Sequence, residues 1–125
     1  TAHPVYAELT ALLRKTAGVA DVLAQALAPL GDALTLAFVY GSAAAGTEGP
    51  GSDIDVMLLG DVTFADAVRA LAPTAAQLGR EVNPTPMLVA DFARKLRAGD
   101  GFAQSVARSP RIWLKGAEDD FAQLA

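Results

Sequence analysis

Two short apolar runs whose polar ends face each other constrain this chain more than any other feature. The first, Leu34-Thr35-Leu36-Ala37-Phe38-Val39-Tyr40, stops at Gly41-Ser42. Ten residues later Asp53-Ile54-Asp55 opens the second, Val56-Met57-Leu58-Leu59, which stops at Gly60. Short apolar runs bounded by turn residues predict buried strands. Side chains alternate along a strand, so Asp53 and Asp55 are expected on one face, with Ile54 and Val56 on the other. Neighbouring carboxylates repel unless something positive lies between them, and hard oxygen ligands suit magnesium. A glycine turn ending the adjacent strand offers backbone N–H groups and the Ser42 hydroxyl to a phosphate. Metal and phosphate together are the chemistry of nucleotides.

The rest of the chain alternates helical and extended patterns. Val5, Leu9, Leu12 and Leu13 have helical spacing over Pro4 to Lys15, and Val19 to Leu30 continues after Gly18 until Pro29 and Gly31 stop it. Ser42 to Ser52 reads as a short helical turn and a loop. Thr63 is the expected N-cap of a helix reaching Gly79, which Pro73 should kink or split. Glu81 to Val89 reads as a strand whose two prolines confine it to a sheet edge or a bulge. Short helices over Ala90 to Ala98 and Phe102 to Ala107, a strand over Arg111 to Lys115 and a closing helix over Glu118 to Leu124 complete the order. The predicted class is α/β (α+β), a small mixed sheet flanked by helices. Residues 1–33 are expected to form an N-terminal helical segment and linker, and residues 34–125 the nucleotide-handling core of one domain overall.

Composition excludes several functions. The chain has no cysteine, so thiolate metal sites and disulfides are impossible, which fits a reducing cytoplasm. A net charge of −4 is unsuited to holding nucleic acid by electrostatics. No apolar stretch approaches a membrane span. His3, the only histidine, lies at the terminus and is not expected to act. Walker and G-x-G-x-x-G motifs are absent.

Gly41-Ser42-Ala43-Ala44-Ala45-Gly46, followed by Gly51-Ser52-Asp53-Ile54-Asp55-Val56, resembles the signature of the DNA polymerase beta-like nucleotidyltransferases, and more narrowly of their minimal domains. The resemblance implies the nucleotidyltransferase fold, with Asp53 and Asp55 as ligands of magnesium or manganese. A third acid on a later strand completes such sites; Glu81 is the best match, with Asp91 and Asp61 as competitors. Gly41 and Ser42 would hold phosphates. The family commonly places Arg where this chain has Ala45, so a basic group near the triphosphate would have to come from Arg80, Lys95, Arg97 or Lys115.

The implied activity is magnesium-dependent transfer of a nucleoside monophosphate from a nucleoside triphosphate, ATP favoured, to an acceptor hydroxyl. Similar minimal domains act as antitoxins on a helical HEPN-type toxin, which makes a partner protein the expected acceptor. The alternative is a non-catalytic nucleotide-binding or sensor domain of a longer winged-helix regulator, in which DNA binding belongs to a fused domain. Upstream sequence separates the two.

Overall fold

The computed structural model describes residues 18–41 and 53–124. The helix expected over Pro4 to Lys15, His3, and the turn expected after Gly41 lie outside these residues. Within them a helix over residues 18–27 (α1) runs into a 3-10 segment, Ala28–Ala33. There follow β1 (Leu34–Tyr40), β2 (Ile54–Gly60), α2 (Phe64–Leu78), β3 (Val82–Met87), α3 (Val89–Arg97), α4 (Gly101–Arg108), β4 (Ile112–Lys115) and α5 (Glu118–Ala122).

The four strands form one sheet in the order β3-β2-β1-β4. β1 is antiparallel to β2 and β4, whereas β3 is parallel to β2 because α2 carries the chain back across the sheet. Each face of the sheet is covered. Ala37, Val39, Ile54, Val56 and Leu58 pack against Leu23 and Leu27 of α1 and Ala67 and Leu71 of α2. Phe38, Met57 and Leu59 pack against Phe92 and Leu96 of α3, Ala103 and Val106 of α4, and Phe121 of α5. A register shift between Leu34 and Leu36 lets these two leucines enter opposite cores, although alternation alone would put them together.

Thr63 caps α2 as expected, its Oγ1 accepting a hydrogen bond from the Asp66 N–H at 3.0 Å. Pro73 does not split the helix: Phe64–Leu78 is continuous. Pro73 and Arg69 are both exposed, so the carbonyl that loses its intrahelical donor faces water, while buried Leu71 and Thr74 anchor the turns on either side.

β3 is an edge strand, as its prolines require. The Glu81 carbonyl accepts from the Ile54 N–H at 2.9 Å, so the odd-numbered residues bond to β2. Pro84 and Pro86 therefore occupy outward-facing positions, where no ladder bond is lost. On the far side of the sheet, Arg111 pairs bidentately with Glu118 at 3.0 and 2.8 Å and donates to the carbonyls of Val106, Ala107 and Ser109. Its guanidinium lies 4.3 Å from the Phe121 ring centroid, locking the end of α4 to α5. Among the described residues no helix is long and apolar enough to cross a membrane.

Candidate functional site

Alternation along β2 buries Ile54 and Val56 on the α1–α2 side and turns Asp55 to the other side, which Met57 shares. Asp55 is half-buried and Asp53, immediately before the strand, is exposed. The register places Tyr40 of β1 beside Asp55 and Asn83 of β3 on its other flank. Paired residues on neighbouring strands share a face, so Tyr40, Asp55 and Asn83 form a row across three strands. Asn83 Nδ2 donates to Asp53 Oδ2 at 3.1 Å.

Gly41 follows directly. Its φ is +76°, a left-handed conformation that favours glycine, and a Cβ built there would lie 3.3 Å from Asp55 Oδ2. The glycine turn and the second carboxylate are thus adjacent, as the two sequence motifs require. Ser42 lies outside the described residues.

Tyr40 and Phe102 form an aromatic wall beside the acids. The Tyr40 hydroxyl is 3.3 Å from Thr85 Oγ1, and its ring meets Phe102 edge to face at 6.2 Å and 82°. Burial pushes the Tyr40 phenol above its ordinary 10.0, the Asp55 charge adds to this, and the Thr85 hydrogen bond opposes it. Phe102 remains 43% exposed at the start of α4.

The other expected site residues are more scattered. Glu81 is exposed and precedes β3. Among the described residues no group of three or more His, Cys, Asp or Glu could hold a metal ion, so Glu81 is not gathered with Asp53 and Asp55. Asp91 pairs with Arg94 at 2.9 Å in the first turn of α3, and Asp61 lies at the opposite end of β2 from the acid pair. Lys115 donates to the Gly31 carbonyl at 2.7 Å, and its partner in β1 is Ala37, well back from Tyr40. Arg97 is exposed at the end of α3. Asn83, Thr85 and Phe102 were not predicted. The signal for Asn83 and Thr85 was their shared parity with Glu81 along an expected strand.

A mixed four-stranded sheet, with its two middle strands antiparallel and an α-helical crossover to the third, is the nucleotidyltransferase fold. The family model described as nucleotidyltransferase domain matches residues 22–110, and the chain belongs to that family. Among solved structures it is similar to a toxin–antitoxin with AMP-PNP, with a TM-score of 0.57 and 17% identity over 83% of this chain and 78% of the other. A second is a double Asp-to-Glu mutant of the toxin–antitoxin MntA-HpeT, with a TM-score of 0.57 and 18% identity over 81% and 76% of the two chains. A third is a Tyr-to-Ala mutant of the same assembly, with a TM-score of 0.52 and 18% identity over 81% and 75%. At these identities the likeness is one of fold. No curated protein matches the chain.

Proposed function

We propose that this domain is a magnesium-dependent nucleotidyltransferase that moves a nucleoside monophosphate from a nucleoside triphosphate, with ATP favoured, to an acceptor hydroxyl. The observation carrying this reading is the contact between the two motifs: Asp53 and Asp55 at the head of β2, with Asp55 Oδ2 3.3 Å from where a Gly41 side chain would begin. The donor set is chemically apt, since carboxylates are hard oxygen ligands suited to magnesium or manganese. Asp53 and Asp55 would hold the cation, which when bound stabilises charge on the attacking and leaving oxygens of an in-line displacement.

The remaining work falls to this chain. A bare backbone at Gly41 lets the triphosphate approach Asp55, and Ser42 with the N–H groups after Gly41 would hold the β- and γ-phosphates. The acceptor oxygen forms a bond to the α-phosphorus, the bond to the α–β bridging oxygen breaks, and pyrophosphate leaves. Glu81, exposed and not clustered with the acid pair, is the acid that the resemblance implies, and it would take the acceptor's proton. Several of the similar folds belong to toxin–antitoxin assemblies, one with AMP-PNP and one altered at two aspartates. That supports a nucleotide ligand and an antitoxin-type partner; a HEPN-type toxin as acceptor is what the sequence resemblance implies.

Calorimetric titration of magnesium-ATP and magnesium-GTP into the protein, beside an Asp53→Ala/Asp55→Ala variant, tests this reading. Binding that requires magnesium and is lost in the variant is expected. Silence from the wild type up to millimolar nucleotide refutes a stand-alone enzyme and leaves a scaffold completed by a fused DNA-binding domain or a partner.

A further inference from the structure

A carboxylate can only accept hydrogen bonds, so the face of the Asn83 amide turned to Asp53 is its NH2 group and its carbonyl oxygen points elsewhere. Asn83 is also the β3 partner of Asp55 in the parallel ladder. One neutral side chain therefore touches the first acid and flanks the second. Glu81, two residues before Asn83, is not gathered with them, and among the described residues no group of three or more His, Cys, Asp or Glu could hold a metal ion. The acid pair thus carries two negative charges at most, with one oxygen of Asp53 already engaged by an N–H donor.

We infer that Asn83 is the third side chain of this site: it positions Asp53 and, as an amide rather than a carboxylate, leaves a pair that takes a divalent cation only together with the phosphates of a nucleotide. This rests on the nucleotidyltransferase reading for the nucleotide, but its core concerns the metal alone. Cation affinity of an oxygen site follows the number of charged ligands, so converting the amide to a carboxylate should create nucleotide-free binding. Asn83 is exposed on an edge strand, where such a change leaves the cores intact.

The test is titration of manganese, without nucleotide, into wild type, Asn83→Asp, Asn83→Glu and Asn83→Ala, followed by the electron paramagnetic resonance of free manganese. The wild type and Asn83→Ala should bind more weakly than about 1 mM, and Asn83→Asp or Asn83→Glu about tenfold or more tightly than the wild type. Adding Asp55→Asn to Asn83→Asp should abolish the gain. A wild type that holds manganese alone as tightly as Asn83→Asp overturns the inference. So does the absence of any gain in two acidic variants that melt like the wild type. The transferase reading fails separately: silence toward magnesium-ATP alongside a manganese gain in Asn83→Asp sinks that reading and the nucleotide half of this inference, and leaves standing that the Asn83 amide withholds the third charge from the acid pair.

Discussion

Gly41 and Gly79 make a matched pair for testing how the glycine turn serves the acids. Both have positive φ, +76° and +66°, in a region where an L side chain costs about 1–2 kcal/mol. Replacement by alanine also stiffens the unfolded chain, returning about 0.4–1 kcal/mol. At Gly79 a new Cβ meets nothing within 4 Å, so Gly79→Ala should lose about 1 kcal/mol or less and leave the site untouched. At Gly41 the same methyl arrives 3.3 Å from Asp55 Oδ2, a distance at which the carboxylate must move by a few tenths of an ångström. The backbone cost is shared; the displacement of Asp55 is not. Urea unfolding followed by the fluorescence of Trp113 should place Gly41→Ala about 1–2 kcal/mol below wild type. Calorimetry should show magnesium-ATP binding weakened about tenfold in Gly41→Ala, equivalent to about 1.4 kcal/mol, and unchanged in Gly79→Ala. Equal loss of binding in both variants, or none in either, refutes the claim that the turn acts through its contact with Asp55.

Ultraviolet titration of the phenols reads the row across the sheet: Asp55→Asn should lower the Tyr40 value, and Thr85→Val should raise it further. Because that phenol is raised in the folded state, its contribution to stability is complete below pH 10.0 and is lost as pH rises through the folded value, a loss Tyr40→Phe removes. Arg111→Ala strips Glu118, three carbonyls and the Phe121 ring of their shared partner, and should cost about 2–4 kcal/mol by thermal or urea melting. The Glu118 carboxyl is held below its ordinary 4.5 by hydrogen bonds from Arg111 and then Trp113, so its contribution is present above that value and fades as pH falls through the folded one. Trp113 emission should report this acid transition in wild type and not in Glu118→Gln.

Much of this arrangement was legible because it rests on local rules. The runs at Leu34 and Val56, short, apolar and bounded by turn residues, read as buried strands, and Thr63 could cap a helix without help from elsewhere. Pro84 and Pro86 confined β3 to an edge or a bulge before any neighbour was known. The contact of Asn83, rather than Glu81, with Asp53 was of another kind. Both lie at odd positions of one extended segment, and which of them reaches Asp53 depends on the register of a parallel pair joined through a fifteen-residue helix. No local preference encodes that register. The same holds for Phe102, brought to Tyr40 by the packing of α4 on the sheet. Pro73 misled because its effect depends on whether the orphaned carbonyl faces water.

The outward prolines of β3 also make the sheet one-sided toward other chains. An extended peptide laid along that edge would find acceptors at positions 84 and 86 but no N–H there to answer its own carbonyls, leaving Val82 as the one outward donor of β3, so the margin nearest the acids is a poor template for added strands. A polypeptide presenting a hydroxyl there would be held more by side chains and loops than by strand pairing. Among the described residues the sheet's other margin is the four-residue β4, separated from the acid-bearing strand by β1. Growth of the sheet and access to the acids therefore occupy opposite flanks and need not compete.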